Sequence, residues 1–387
     1  MKKDRKRNNF YIIFGITAGL LIAAMTASLF AFPMKSYSKK EKRYLAAFPT
    51  FSLESVLSGR FMDGLEDFAK DQFYERDLIA SIKSEIKRLS GDRENNGVYL
   101  LSSGRLAEDF TAPEEAAFNE LSEELRQFSE KNSGSRQYFM LVPTAISFYQ
   151  DELPDYAVPG DQDGYIDRVF EALPEGMDAV DVRAYFRSES ETTDLYYKTD
   201  HHWTTAAAKI AAAALLLKMG YTVSLPAESG VVSGSFVGSL AVKSGFQIAE
   251  ADAVEIYKVE SHPEKEFYYT VNYVDEQVLA GSVYSAEALS GDDPYEVFFG
   301  GNHAEIEIKT SLETGRKLLL IKDSYANAAI PFLIEAFDEI TIVDPRYYRG
   351  DIDLLTGEKE FTDIAFLYNA NTLSGDTALP MVLRNEQ

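Results

Sequence analysis

The sequence predicts an α/β protein with a doubly wound, mostly parallel sheet, an inserted β-rich region, and one transmembrane helix ahead of both. Three observations lead to this prediction. Short apolar runs alternate with helical stretches from residue 114 onward, residues 221–315 interrupt that alternation, and residues 10–32 carry no charge. Alternating strands and helices are typical of a mostly parallel sheet covered by helices on both faces.

The composition describes a folded protein whose main part is acidic. Of its 387 residues, 45% are hydrophobic and 13% aromatic, which suffices for a large core. Residues 1–43 carry ten Lys and Arg against two acidic residues, so the rest of the chain has a net charge of −32 within a total of −24. A domain with this much negative charge repels phosphate backbones, which disfavours nucleic-acid binding. The absence of cysteine excludes disulfides, thiol nucleophiles and Cys-ligated metals.

The N-terminal apolar segment predicts a membrane anchor. Residues 10–32 are long enough to cross a bilayer as a helix. Basic residues stand on both sides of it, but the first segment usually governs orientation, so we expect a cytoplasmic N-terminus and an extracytoplasmic main domain at the cell membrane. A cleavable signal peptide and a buried core helix are the alternatives.

Three regions follow from these patterns. Residues 1–34 are the predicted cytoplasmic tail and anchor, 35–110 a linker and helical adaptor, and 111–387 the main domain with an insertion at about 221–315. The adaptor includes an amphipathic stretch over Gly64–Leu89, where apolar residues recur at spacings near three and four, which predicts two helices.

Within the main domain, short apolar runs predict strands and longer stretches between them predict helices. The predicted strands are Tyr138–Val142, Ala179–Val182, Lys317–Ile321, Ile340–Val343 and Ile364–Leu367. The predicted helices are Glu114–Lys131, Tyr165–Leu173, Thr204–Met219 and Tyr325–Phe337. In such sheets ligands bind beyond the carboxyl ends of the strands, so those ends are where functional residues should be sought.

Two of the four histidines are adjacent, in the segment TDHHWT at residues 199–204. The segment follows a predicted strand, Leu195–Lys198, and precedes an Ala-rich helix. Alternate residues of an extended segment face the same way, so Asp200 and His202 should lie side by side while His201 points elsewhere. The carboxylate can then accept the Nδ1 proton of His202 and fix its tautomer. A structural Asp–His capping pair is the alternative.

A nucleophile is predicted at a second strand end, in KLLLIKDSYAN at residues 317–327. A buried strand, an Asp-Ser pair and a helix would expose the hydroxyl of Ser324 above the sheet. The first free backbone N–H groups of that helix, including the one at Tyr325, would point at an oxyanion beside the serine. Alternatively, Asp323 or Ser324 merely caps the helix.

Other residues are candidates for oxyanion or substrate contacts. The side-chain amide of Asn369 or of Asn302 could donate to the oxyanion. Arg346 could hold a substrate carboxylate, although an ion pair with Asp344 is the favoured interpretation. Trp203, the only tryptophan, could stack on a sugar ring or belong to the core.

Several segments resemble the DHHW protein family and, more broadly, alginate O-acetyltransferase proteins with an SGNH-hydrolase-like fold. The resemblance covers most of the chain and is most specific in DHHW (200–203) and KDSYAN (322–327); weaker matches are at 38–49, 300–302 and 344–348. It implies Asp200 and His202 as the acid–histidine pair and Ser324 as the nucleophile. Lys322 stands where the G-D-S motif has glycine, and the Asp–His spacing is shorter than the usual D-x-x-H.

These residues predict metal-independent, serine-dependent acyl transfer without a cofactor. The resemblance implies acetylation of a cell-envelope polysaccharide, with the acetyl group supplied by a multi-pass membrane acyltransferase. With water as acceptor the protein would be a polysaccharide acetyl-esterase. A non-catalytic polysaccharide-binding or scaffold component of an acetylation complex is a further alternative, favoured if Ser324 is buried or more than one water away from His202.

Two other enzyme classes are disfavoured by the sequence. Phosphoesterases with two metal ions also use Asp-His-His, but the further aspartate motifs that they need on earlier strands are missing. A DHHC-type palmitoyl transferase requires a cysteine. His262 and His303 lack metal-ligand spacing to other residues, so no metal site is expected.

Overall fold

A computed structural model describes residues 43–72, 91–190, 192–222, 225–246, 250–258 and 267–386, with isolated positions at 16, 17, 19, 27, 34, 37, 38 and 248. The chain divides into two compact units, residues 1–92 with 245–247, and residues 93–244 with 248–387. Apart from four isolated positions, the predicted membrane segment lies outside the described residues, as do residues 73–89 of the amphipathic stretch and His262. Over the ranges given above, no helix is long and apolar enough to span a membrane.

In the first unit, two short helices carry most of the described structure. They are Leu53–Leu57 and Arg60–Gln72, and a two-stranded pairing joins Tyr37–Ser38 to Arg43–Tyr44. Ser52 and Ser55 cap the first helix reciprocally, each side chain accepting the other's backbone N–H at 3.0 Å.

The second unit is built on a mixed sheet that has eight strands among the described residues. In spatial order they are Val278–Ala280, Tyr269–Tyr273, Glu305–Thr310, Glu339–Val343, Lys317–Lys322, Asp363–Asn369, Arg136–Val142 and Met177–Val180. The last five run parallel, and the first three add antiparallel pairings at one side. The five predicted strands are present, although the one predicted at Ala179–Val182 lies at Met177–Val180. A parallel arrangement holds only for the part of the sheet that they form.

Helices cover both faces of this sheet. Phe366 packs against Phe128 of the helix Glu115–Lys131, with ring centroids 5.6 Å apart. Asp363, three residues earlier, faces the other way because side chains alternate along a strand. It accepts a hydrogen bond at 2.6 Å from the hydroxyl of Tyr221, just beyond the helix Thr205–Lys218.

The remaining elements are short. The other α-helices of this unit are Ala145–Phe148, Gln162–Ala172, Arg183–Glu189, Ser239–Ser244, Ile352–Lys359, Ala370–Gly375 and Ala378–Leu383. Short 3₁₀ helices lie at Gln150–Glu152, Ala288–Ser290 and Pro294–Val297. A small sheet joins Glu94–Asn95, Val98–Leu100 and Leu106–Glu108.

The β-rich region predicted at 221–315 is divided between two structures. The strands Ser229–Phe236 and Asp252–Tyr257 form a separate antiparallel ribbon. The strands that follow them in this region extend the central sheet. The region is therefore partly continuous with the main domain.

The helix predicted at Tyr325–Phe337 is not a single α-helix. Three consecutive 3₁₀ helices take its place, at Ser324–Ala328, Ile330–Phe332 and Ile334–Ala336. Pro331 lies in the middle of the segment, where its ring clashes with the preceding turn and its missing N–H removes a helical hydrogen bond. The prediction of one helix was wrong because it did not weigh this proline.

Candidate active site

Ser324 lies at the carboxyl edge of the central sheet, immediately after the strand Lys317–Lys322 and Asp323. Asp323 caps the following 3₁₀ helix, since its Oδ1 accepts the backbone N–H of Tyr325 at 2.9 Å. Ser324 is the first residue of that helix, so its own N–H has no partner inside it. The turn thus offers a hydroxyl and a backbone donor at the same point.

Asp323 also ties the serine turn to the neighbouring strand. Its Oδ2 accepts the backbone N–H of Asn369 at 2.9 Å and the side-chain amide of Asn369 at 2.6 Å. Burial raises the pKa of Asp323 to about 6, although these hydrogen bonds and the charge of Arg346 favour the anion. The cap predicted as an alternative is therefore present, and it positions the serine.

The structure brings Ser324, His202 and Asp200 together in series. Nε2 of His202 lies 2.9 Å from Oγ of Ser324, and Nδ1 lies 2.6 Å from Oδ1 of Asp200. With the Nδ1 proton donated to Asp200, Nε2 is left to accept a proton from the serine. The three residues retain only 8%, 6% and 2% exposure, respectively, for Ser324, His202 and Asp200.

The pairing of Asp200 with His202 arises from a turn, and not from the extended segment that we predicted. Oδ1 of Asp200 also accepts the backbone N–H of His202 at 2.9 Å, a local turn that aspartate forms with the residue two positions on. The predicted strand Leu195–Lys198 is absent from this part of the described structure, apart from an isolated bridge between Tyr196 and Trp203. The side-by-side placement was right for a different reason.

Burial and charge set the protonation states that a proton acceptor needs. Burial lowers the pKa of His202 to about 4, with a further contribution from positive charge on His201, while Asp200 opposes both. Burial would raise the pKa of Asp200, but the charges of the two histidines and hydrogen bonds from His202 and Ser239 hold it well below its ordinary value. Near neutral pH the imidazole is therefore neutral and the carboxylate ionised.

Two contacts to this series were not foreseen from the sequence. Tyr295 stacks on His202 with ring centroids 3.8 Å apart and donates its hydroxyl to the carbonyl oxygen of Ser324 at 3.2 Å. The backbone N–H of Ser239 donates to Oδ2 of Asp200 at 2.7 Å. Both come from residues 229–297, where no local motif marks them, because only the tertiary fold brings them to the histidine.

His202, and not His201, contacts Ser324. His201 nevertheless lies beside Asp200, with its Nδ1 3.5 Å from Oδ1 of that aspartate, so it does not point elsewhere as we predicted. Its Nδ1 lies 2.6 Å from Oγ of Ser239. Asp200, His201 and His202 also have ligand atoms within 4.8 Å of one another, a geometry compatible with a metal ion. An ion there would compete with the hydrogen bonds among these side chains and with Ser239.

Three of the supporting candidates do not suit the roles that we predicted. The backbone N–H of Tyr325 is bonded to Asp323, so it is not free for an oxyanion. The side-chain amide of Asn369 donates to Asp323 and, at 2.7 Å, to Thr372. Trp203 is 0% exposed and its indole N–H donates to the carbonyl of Tyr325 at 2.9 Å, so it belongs to the core.

Arg346 and Asn302 lie at the neighbouring strand ends. Arg346 donates to both carboxylate oxygens of Asp344, at 2.8 and 2.6 Å, which is the ion pair favoured from the sequence. Oδ1 of Asn302 accepts from the amide of Asn327 at 3.1 Å and lies 3.4 Å from Nζ of Lys322. Asn302 is solvent-exposed, so it remains a candidate for a substrate contact.

The α/β fold places Ser324 at the carboxyl end of a parallel strand, in series with His202 and Asp200, an arrangement typical of serine hydrolases and acyltransferases. The chain belongs to the DHHW protein family, which matches residues 99–343. This confirms the resemblance seen in the sequence. Comparison with curated protein sequences gave no match.

Several solved structures are similar to this chain. A DHHW family protein from Eubacterium siraeum DSM 15702 is 24% identical with a TM-score of 0.64, over 76% of this chain and 96% of that one. Bacillus cereus PatB1 with a sulfonyl adduct is 18% identical with a TM-score of 0.61, over 75% and 98%. The O-acetyltransferase domain of Pseudomonas putida AlgJ is 15% identical with a TM-score of 0.45, over 75% and 99%. At these identities the likeness concerns the fold.

Proposed function

We propose that the protein transfers an acetyl group to a cell-envelope polysaccharide, through an acetyl ester formed on Ser324. The observation that carries this proposal is the series of contacts from Oγ of Ser324 to His202, at 2.9 Å, and from His202 to Asp200, at 2.6 Å. Both lie within hydrogen-bond reach, which is the first requirement for a nucleophile and its base.

The reaction proceeds in two half-reactions on the same residues. Oγ of Ser324 attacks the carbonyl carbon of the donor ester while Nε2 of His202 takes the hydroxyl proton, and Asp200 stabilises the imidazolium that results. The tetrahedral intermediate collapses, His202 protonates the leaving oxygen, and acetyl-Ser324 remains. A sugar hydroxyl then attacks the acetyl carbon and gives its proton to His202, which returns that proton to Oγ of Ser324.

Two donors are available for the oxyanion of each intermediate. The backbone N–H of Ser324 starts a 3₁₀ helix without an intrahelical partner. The amide of Asn302 is the second, since its oxygen is held by residues on both sides of the serine and its nitrogen is left for a ligand. Donors aimed at developing charge typically contribute about 10²–10³ in kcat each.

The acetyl group and the polysaccharide acceptor rest on the sequence resemblance to alginate O-acetyltransferase proteins. In keeping with that resemblance, we place the second unit outside the cytoplasmic membrane, anchored by residues 10–32, with the acetyl donor supplied by a multi-pass membrane acyltransferase. Protease added to intact cells should then digest the Ser324-bearing unit and spare the first few residues. Full protection of that unit would overturn the location.

One observation favours the non-catalytic alternative. Ser324 is only 8% exposed, so little of its surface is accessible to a substrate. Its direct contact with His202 argues the other way, because a scaffold has no need of an oriented base. If the protein binds envelope oligosaccharide but neither hydrolyses nor transfers acetyl groups, the non-catalytic alternative is correct.

An acceptor-partition assay tests the proposal. The full-length protein is incubated with an activated acetyl ester, with and without envelope oligosaccharide, and acetate and acetylated sugar are both measured. A transferase diverts acetyl from water to sugar, and Ser324→Ala abolishes both products. An esterase gives acetate alone and also removes acetyl from an acetylated polymer. Wild-type rates in Ser324→Ala would refute the nucleophile.

A further inference from the structure

Lys322 is a buried cation next to the serine turn that the steps above do not use. Its side chain is 1% exposed, and its Nζ lies 3.0 Å from Oδ2 of Asp344, which is 0% exposed. Arg346 completes the group by holding both oxygens of Asp344. Burying a cation and an anion is costly unless further hydrogen bonds satisfy them, and such pairs are weak evidence for stability alone. A role beyond stability is therefore considered for Lys322.

The same ammonium group reaches towards Asn302. Nζ of Lys322 lies 3.4 Å from Oδ1 of Asn302, and the amide of Asn327 donates to that same oxygen at 3.1 Å. Lys322 precedes Ser324 by two residues and Asn327 follows it by three, so both donors are part of the serine turn. Asn302 is therefore attached to the nucleophile segment from two sides.

The loop that carries Asn302 has an unusual backbone, in which Phe299 is the strained residue. Phe299, Gly300 and Gly301 have φ values of +66°, +78° and +121°, three successive residues in a region that a bulky side chain rarely enters. His303 closes the turn, because its Nε2 lies 3.0 Å from the carbonyl oxygen of Phe299. The strain at Phe299 persists only where the surrounding structure holds the segment in one conformation.

We infer that Lys322 is a positioning residue that fixes the orientation of the Asn302 amide, so that its NH₂ group and not its oxygen is presented to the acyl oxyanion. The two ends of an asparagine amide are nearly alike in shape, and only the hydrogen-bond partners decide which way it points. A flipped amide would set NH₂ against the ammonium of Lys322 and the NH₂ of Asn327, which is repulsive. This inference rests on the proposed function and explains why lysine stands where the G-D-S motif has glycine.

The charges around Lys322 are consistent with this role. Burial lowers its pKa, and Arg346 lowers it further, whereas Asp344 favours the charged form. The pKa of Asp344 is itself held low, mainly because the attraction of Lys322 and Arg346 outweighs its burial. Asp344 therefore stays ionised, and Lys322 keeps a hydrogen on Nζ for Asn302 in either protonation state.

The test compares Lys322→Met, Asn302→Ala and the double variant in the full-length protein. Asn302→Ala should lower kcat for an activated acetyl ester by about 10²-fold with little change in KM. Lys322→Met should lower kcat in the same way, and the double variant should be no slower than Asn302→Ala, since both changes remove one function. Lys359→Met is the control, because it removes an ion pair with Glu307 that is partly buried and lies outside this group.

A second measurement keeps the inference independent of activity. Side-chain amide NMR signals of Asn302, assigned by their loss in Asn302→Ala, should be one sharp pair in the wild type and in Lys359→Met. In Lys322→Met they should broaden or double; if that variant does not fold, Asn327→Ala should show the same change. Unchanged Asn302 signals, or losses in kcat that multiply in the double variant, would overturn the inference. If the wild type has no acetyl activity while Lys322→Met shows the expected NMR change, the result would count against the proposed function alone.

Discussion

The low pKa of His202 leads to a definite pH profile for the proposed reaction. Only the neutral imidazole can take the proton of Ser324, so kcat/KM should fall as the pH drops through the pKa of the free protein. With a pKa of about 4, about 90% of the imidazole is neutral at pH 5, whereas the ordinary value of 6.5 would leave about 3%. We therefore expect kcat/KM at pH 5 to stay near its plateau, a difference of about 30-fold between the two cases.

The assay measures acetate released from an activated ester between pH 4 and 8. Acetate is measured instead of the phenol leaving group because the absorbance of the phenol itself changes with pH. Circular dichroism at each pH checks that the chain stays folded. Asp323, whose pKa is raised to about 6, titrates in the same range but does not contact the reacting atoms. A variant separates the two groups: His201→Asn removes a charge that lowers the pKa of His202, so the inflection due to His202 should move to higher pH.

A half-maximal rate at pH 6.5 or above in the folded wild type would contradict this account of the histidine's environment. So would an inflection near pH 4 that His201→Asn leaves in place.

Three further predictions follow from the contacts around the serine. Ser324→Ala and His202→Ala should each abolish most acetyl-ester turnover, and the double variant should cost little more, which steady-state kinetics on all three proteins will check. Asp200→Asn should lower kcat by about 10³–10⁴-fold because it leaves His202 in the wrong tautomer; a loss confined to KM would show that Asp200 does not act through the histidine. A Cβ at Gly238 would lie 2.2 Å from Cβ of Asp200, so Gly238→Ala should lower both the melting temperature and kcat, whereas Gly234→Ala, with nothing within 4 Å, should leave kcat unchanged.

The strands and the series Ser324, His202 and Asp200 could be predicted because their signals are local. Runs such as Lys317–Ile321 are short and apolar, and the carboxyl ends of neighbouring parallel strands meet at one edge of a sheet. Asp200 and His202 stand two residues apart, and any short turn or extended segment brings their side chains near each other. The prediction of their placement therefore survived an error in the local secondary structure.

The oxyanion donors and the packing of the histidine could not be predicted in the same way. The amides of Tyr325 and Asn369 are suitable donors at the expected strand ends, but both donate to the carboxylate of Asp323. Sequence spacing does not show which acceptor a donor will bond to. Tyr295 reaches His202 from a region without a motif. Contacts of this kind depend on how distant segments pack, which local periodicity does not encode.

The most direct test of the central claim is to trap the covalent intermediate. The full-length protein is incubated briefly with an activated acetyl ester, quenched with acid and digested, and the acetylated peptide is mapped by mass spectrometry. We predict one acetyl group on Ser324, absent after Ser324→Ala and strongly reduced after His202→Ala, because the hydroxyl reacts only when His202 accepts its proton. Acetylation at another residue with Ser324 unmodified, or equal labelling of Ser324 in His202→Ala, would contradict the account.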